Sequence, residues 1–415
     1  MPDKYKSTLH ACYVSLITQA VNNNLAPLFF AVFHDQFALS FEMLGRLVLL
    51  NFGTQIITST LSLRFVDRLG YRASAVLAHV LSFLGIISLG ILPQVLPSTP
   101  LALGLAVFLS GCGGGVMEVV ISPIVESLPT KSKAASMSLL HSFYCWGHMA
   151  VVILTTLVLW ALGTHLWPYL PLLWALIPLF NLFRFLRVPL LPLVPEGERM
   201  PAAQLFSSPL FFLCLLLMIS AGAAELTMSQ WSSLFAEMGL GVPKVLGDLV
   251  GPALFALFMV AGRTAYGVLG ERISLRQVIM VSCVFCLVCY AVTVFSPLPV
   301  LSLLGAALCG LSVSLMWPGT LSLASAQFPK GGTTLFGLLA VFGNVGGSLG
   351  PWLTGLVSDL SQRSQLIQHW SVSRGMGLDQ AGLRAGLLMG SIFPLLMFLG
   401  LIVLGRKKRA LARAM

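Results

Sequence analysis

The chain has 415 residues, of which 57% are hydrophobic and only 9% charged, against about 25% charged in an ordinary soluble domain. So few charges cannot cover a water-facing surface, so the apolar excess must face hydrocarbon. The net charge of +10 is spread over short loops between apolar runs, with no basic patch interleaved with aromatics, which argues against a nucleic-acid partner and for orientation in a membrane.

Lys4 and Lys6 precede an apolar stretch that runs past Asn22, Asn23 and Asn24 without a small-residue cleavage site, so it reads as a first membrane helix and not as a signal peptide. A spanning helix needs about 20 mostly apolar residues. Such stretches fall at 11–33, 43–63, 73–93, 101–125, 134–158 and 167–189. A stretch with Pro, Glu and Arg at 190–208 follows, then six more at 209–235, 246–269, 277–297, 299–323, 333–357 and 382–405. The expected architecture is an all-α polytopic membrane protein of twelve transmembrane helices in two pseudo-symmetric six-helix bundles. Residues 1–189 form the first bundle, 190–208 a cytoplasmic linker, and 209–415 the second bundle with a basic tail from Arg406.

Charge placement tests that count. With both termini cytoplasmic, 19 of the 24 Lys and Arg lie on the inner side, and Arg46, Lys244, Arg363, Arg374 and Arg384 on the outer. This obeys the positive-inside rule, and an odd number of spans would destroy the alternation. The halves also repeat. Asp67-Arg68-Leu69-Gly70-Tyr71-Arg72 follows the second span, and Glu271-Arg272-Ile273-Ser274-Leu275-Arg276 follows the eighth, at an offset of 204 residues. Repeated halves with a solute site between them are a common transporter plan.

Ionisable groups deep in a bilayer are costly and usually face a cavity or a partner. Glu118 lies roughly 13 Å from the inner end of the fourth span, and His141 at a similar height on the fifth. Glu118 is therefore the candidate proton-binding group and His141 its partner or a solute donor, beside the reading of a structural pair. Asn22, Asn23 and Asn24 present donors and acceptors at successive angles, as binding of a hydroxyl-rich solute requires. Gln55, Gln230 and Asn344 are further amide candidates, with Trp146, Trp231 and Trp317 as aromatic platforms or membrane-facing rings. Glu225 reads equally as a solute contact or a helix brace. Glu126, near the inner end of the fourth span, suits pairing with Arg68 or Arg72. The glycines at 111, 113–115, 343, 346, 347 and 350 permit close helix approach. Cys283, Cys286 and Cys289 sit within an apolar helix without His or acidic companions and read as packing residues.

The loop Asp67, Arg68, Gly70, Arg72 resembles the signature loop of the major facilitator superfamily. The resemblance implies that this loop, with its repeat at Glu271, Arg272 and Arg276, helps to hold the inward-closed state; Leu63 stands where the family usually has Gly. Finer similarity is to the fucose–proton symporter family. It is carried by Asn22–Asn24 with Pro27; Gly113, Gly115, Glu118 and Pro123; Gly222, Glu225 and Trp231; Gly262, Arg263 and Gly267; and, more weakly, Pro318, Gly343, Asn344, Ser358 and Asp359. That family has an Asp in the first span and a Glu in the fourth, both tied to proton coupling. Glu118 matches the second, whereas the first falls on Asn23.

The leading expectation is proton-coupled symport of a sugar or similar polar solute by alternating access. The alternatives are proton-linked efflux of an amphiphile and a non-transporting sensor, and sodium remains an alternative coupling ion. Without a metal cluster, nucleophile–base pattern or nucleotide motif, the sequence reads as a non-enzyme with no cofactor. The expected setting is a monomer in the bilayer of a bacterial cytoplasmic (inner) membrane.

Overall fold

A computed structural model describes residues 3–129, 133–191, 202–269, 274–328 and 332–414, and among these every regular element is helical. The chain forms two compact units, Met1–Pro195 and Glu196–Met415. Among the described residues ten helices are long and apolar enough to cross a membrane. The second and eleventh expected spans are also helices, of 29 and 30 residues, but they carry more hydroxyl, amide or glycine positions. At 1.5 Å per residue each is roughly 44 Å long, more than a hydrocarbon core requires.

In the first unit α1 spans Lys6–Phe37. It is interrupted directly after the Asn run by a 3₁₀ turn at Ala26–Phe29. Pro27 explains the break, since it has no N–H to donate and its ring crowds the preceding turn. Helix α2 spans Phe41–Leu69; the Ser40 hydroxyl accepts from the Met43 N–H at its start, and Gly70 ends it at φ +79°, a conformation open mainly to glycine. Helices α3 (Tyr71–Val95), α4 (Thr99–Ser127), α5 (Lys133–Leu162) and α6 (Tyr169–Arg187) complete the unit. Its apolar core gathers Ala11, Val66, Ala78, Val120, Ile124, Leu140 and Phe185. Helix α4 fits among its neighbours because small residues face each of them. A Cβ on Gly113 would lie 2.4 Å from Ser82 Oγ of α3, and one on Gly115 would lie 2.6 Å from the Gln55 carbonyl of α2.

In the second unit α7 spans Pro209–Gly239 and ends in a π-turn at Phe235–Gly239. Helix α8, Lys244–Tyr266, contains a second π-turn at Leu249–Ala253 around Pro252. Then come α9 (Leu275–Phe295), α10 (Pro299–Ala324), α11 (Gly332–Ser361) and α12 (Leu378–Arg406). A ten-residue helix at Gln365–Arg374 lies in the connection that the sequence reading left as loop. Cys283, Cys286 and Cys289 are buried free thiols on α9. Most of the expected linker lies outside the described residues; its last part forms the short helix Ala202–Phe206, whose Leu205 joins the core around Phe211 and Met218.

Candidate functional site

The polar residues of α1 and α2 form a buried ladder of amides. Gln19 Nε2 donates to Gln55 Oε1 at 2.8 Å, and Gln55 Nε2 donates to Asn23 Oδ1 at 2.8 Å. Asn51 Nδ2 donates to the same Asn23 oxygen at 3.1 Å. Asn23 and Asn24 both donate to the Tyr144 hydroxyl on α5, at 3.4 and 3.3 Å. Asn22 turns the other way and donates to Ser82 Oγ on α3 at 2.9 Å, beside a cavity of about 10 Å³, the room that one water needs. Every amide of this group is at most 7% exposed.

Of the residues selected from the sequence, Asn23, Asn24 and Gln55 are joined through this network, whereas Asn22 faces Ser82. It missed Gln19, Asn51 and Tyr144. The signal was present, because Gln19 precedes Asn23 by four residues and Asn51 precedes Gln55 by four, the spacing that puts two side chains on one helix face. The ladder has a direction: amide N–H groups are spent along it, while Gln19 Oε1, Asn51 Oδ1 and Asn22 Oδ1 are buried acceptors without a hydrogen bond.

Gly114 of α4 lies against the ladder, and a Cβ there would meet Gln19 Oε1 and Gln55 Cδ at 3.0 Å. Glu118 is four residues further on, so it projects from the same face one turn, roughly 6 Å, away. His141 stands one turn before Tyr144 on α5. Consecutive helices run in opposite directions, so Glu118 and His141 flank the ladder toward the same end of the unit. Both side chains are exposed, as is Trp146 at 47%. A separate buried cluster ties α1, α3 and α6 together. Asn181 Nδ2 donates to His79 Nε2 at 2.8 Å and to the Ala11 carbonyl at 2.9 Å, and His79 Nδ1 meets the Ala75 carbonyl at 2.7 Å.

In the second unit Glu225 and Arg263 form an ion pair at 3.7 Å between α7 and α8, and Arg263 Nε donates to the Ser314 carbonyl of α10 at 3.2 Å. Of the two readings of Glu225, this geometry is that of the brace. Trp231 is fully buried and donates from Nε1 to the Pro351 carbonyl of α11 at 3.0 Å. The expectation of Trp231 as an open stacking platform is therefore corrected, because both its ring and its N–H are taken up in packing α7 on α11. Gln230 and Asn344 are buried, and Trp317 is half-buried with its ring across Gly343.

The Major Facilitator Superfamily model matches residues 11–351. The chain belongs to that superfamily. Solved structures similar to it include an inward-facing, occupied bacterial homologue of the human lysosomal transporter Spinster, with TM-score 0.74, 14% identity and 98% of each chain covered. A D-xylose–proton symporter matches with TM-score 0.74 and 14% identity over 94% of this chain and 97% of its own. The nucleoside transporter NupG, in a mutant form, matches with TM-score 0.74 and 12% identity over 96% and 99%. A search of curated proteins finds no significant match. This superfamily member is thus an integral membrane transporter, a class that carries small molecules through a bilayer and is generally not enzymatic.

Arginines of the two acid–Arg loops each hold a helix of their own unit. Arg72 Nη1 and Nη2 donate to the Phe185 and Val188 carbonyls at 2.7 and 2.8 Å, capping the end of α6. These carbonyls present the partial negative charge of a helix C-terminus; the expected pairing of Arg68 or Arg72 with Glu126 falls on a side chain outside the described residues. Arg276, 204 residues later, also ties a helix of its own unit, donating from Nε to the Leu401 carbonyl within α12 at 2.8 Å. Arg68 is exposed. The side chains of Asp67 and Glu126, and Glu271 and Arg272 altogether, lie outside the described residues.

Proposed function

We propose that this chain is a proton-coupled symporter of a small polar solute, a sugar or sugar derivative, working by alternating access and akin to the fucose–proton symporters. The observation that carries the reading is the buried amide ladder with its two unbonded acceptors, Gln19 Oε1 and Asn51 Oδ1, joined by the unbonded Asn22 Oδ1 on the α3 side of α1. An unmade buried hydrogen bond costs about 1–3 kcal/mol, and ligand hydroxyls are the donors that would relieve it. The likeness to a xylose–proton symporter adds support. Glu118 is the proposed proton carrier, with His141 as its partner, one turn from the ladder. Solute contacts in the second unit fall to Gln230, Trp317 and Asn344, and Trp146 is the remaining aromatic platform on α5. The proposed setting is a cytoplasmic membrane with both termini inside and the monomer as the working unit.

Uptake of radiolabelled hexoses and pentoses into proteoliposomes, with and without a pH gradient and with sodium varied separately, tests this. The expected result is accumulation driven by an inward proton gradient and lost in Glu118→Gln. Intact proton-driven uptake by that variant removes Glu118 from the mechanism, and a panel in which no sugar moves removes the sugar reading. Efflux driven by the same gradient points to the exporter alternative.

A further inference from the structure

The hairpin between α7 and α8 holds a charge cluster to which the function above gives no role. Glu237 sits on the π-turn that ends α7, and Lys244 and Asp248 sit in the first turns of α8. Lys244 Nζ lies 3.3 Å from Asp248 Oδ2, 3.8 Å from Glu237 Oε2 and 3.3 Å from Ser233 Oγ. The Ser233 hydroxyl donates to Asp248 Oδ1. The side chains of Asp248 and Lys244 are only 1% and 12% exposed. The helices packed around the hairpin add few charges. Helix α10 has none, and the Glu225 of α7 is paired with Arg263. Helix α12 brings Asp379 at its start and Arg384, which donates to the Val294 and Ser296 carbonyls and lies 5.7 Å from the Phe235 ring centroid.

We infer that Asp248 is a second proton-binding carboxylate of the transport cycle, with Lys244 as its movable counter-ion; this rests on the proton-coupled reading above. A buried carboxylate must be paired to stay ionised, and here its cation is shared with a second carboxylate. Two carboxylates and one ammonium leave a negative charge that a single proton removes. The step balances simply. A proton from the aqueous side converts the Asp248 carboxylate to a carboxylic acid, Lys244 stays an ammonium, and Glu237 becomes its ion partner. The new Oδ1–H donates to Ser233 Oγ, which can accept as well as donate, and the Ser233 O–H turns to the backbone carbonyl one helical turn back. Protonation thereby transfers Lys244 from a carboxylate of α8 to one of α7. The π-turns at Phe235–Gly239 and Leu249–Ala253 lie on either side of this exchange, and such turns recur where helices must deform for function. Carboxylates within membrane helices are rare and usually functional.

Infrared difference spectra of the full chain in liposomes, taken between neutral and mildly acid pH, test the inference without any cargo. Acidified wild type should show a carboxylic-acid carbonyl band, part of which is lost in Asp248→Asn. An unchanged band in Asp248→Asn overturns the inference. If that variant fails to fold, Asp248→Asn/Lys244→Met removes both charges together and answers the same question. In either variant, proton-gradient uptake of the hexose panel equal to wild type reduces the cluster to a structural ion pair. Sodium-driven, pH-independent uptake lost in Asp248→Asn also overturns the proton assignment. Because the band needs no solute, a failure of the sugar reading and a failure of this one give different results.

Discussion

The contact of α7 with α11 predicts opposite outcomes for one methyl group added at two places on the same helix. A Cβ on Gly346 would stand 1.9 Å from the Ile219 carbonyl oxygen, 2.7 Å from its carbon and 2.9 Å from the Ala223 nitrogen. From the other side, a Cβ on Gly222 would stand 2.1 Å from the Gly343 carbonyl oxygen. These neighbours are backbone atoms and cannot rotate away. Since real Cβ atoms essentially never come within 3.0 Å of such a neighbour, Gly346→Ala forces the helices apart by about 1 Å locally. Overpacking of this kind costs up to about 3 kcal/mol, offset by about 1 kcal/mol of helix propensity gained over glycine. The net expectation is a loss of about 2 kcal/mol. Gly337, nine residues earlier on α11, has nothing within 4 Å of its would-be Cβ, so Gly337→Ala should stabilise by about 0.5–1 kcal/mol. The two variants then differ by about 3 kcal/mol, or roughly 6–12 °C in melting temperature at the slope usual for a unit of this size. Thermal melts of the detergent-solubilised protein, followed by size-exclusion recovery, measure this. Equal melting temperatures, or a Gly337→Ala as damaged as Gly346→Ala, would refute the close-packing argument.

Two further predictions concern polar groups that tie helices together. Arg72→Gln and Arg276→Gln should each lower the melting temperature, the first by the loss of two charge-assisted bonds and the second of one, at most about 1.5–3 kcal/mol for each bond and less at the solvent-exposed Arg72. Lysine at position 72 should restore only part of it, because a point charge cannot fork across two carbonyls. Asn23→Leu strands the donors of Gln55 and Asn51, about 1–3 kcal/mol each, whereas Asn23→Asp keeps their acceptor. Melting temperatures should therefore fall in the order wild type, Asn23→Asp, Asn23→Leu, and the reverse order would mean that the ladder is not built through Asn23 Oδ1.

Much of the scaffold was legible before any coordinate. Apolar runs marked helices, and the repeated acid–Arg loop marked two places at which an arginine, Arg72 or Arg276, donates to a carbonyl of another helix. Side-chain direction was harder to read. Trp231 lies six residues after Glu225 and looked like a platform, yet the small residues Gly222, Gly346 and Gly350 bring α11 so close that its ring has no open face. Gln19 and Asn51 escaped notice because a single amide in an apolar run carries no signal until its partner one turn away is considered. The hairpin cluster was hidden for a different reason. Lys244 was counted as an outer-loop charge; its spacing of four from Asp248 was a signal in the sequence, and only the fold shows that the short connection from Gly239 sets the pair against Ser233 and Glu237.

The two units handle buried polarity in different ways, and this bears on why an amide stands at Asn23. In the first unit the buried groups joining α1, α2 and α5 are neutral amides and a phenol, and Asn23 is the pivot because it both accepts and donates. Its Oδ1 takes N–H groups from Gln55 and Asn51 while its Nδ2 donates to Tyr144. A carboxylate has no donor when ionised, so it would keep the contacts to α2 and require Tyr144 to reverse its hydroxyl. The amide therefore fits its surroundings and leaves this ladder without a charge to compensate. The second unit instead buries ions, each held by an opposite charge or by helix-end carbonyls: Glu225 by Arg263, Asp248 by Lys244, and Arg384 by the end of α9. Neutral groups bind and release a hydroxyl-rich solute without net charge crossing the bilayer centre. The ionised groups are those whose pairing a proton can change. On the proposed reading this is a division of labour, in which the amides of the first unit would read the solute while Glu118 beside them and Asp248 on the hairpin would hold the charge that drives it.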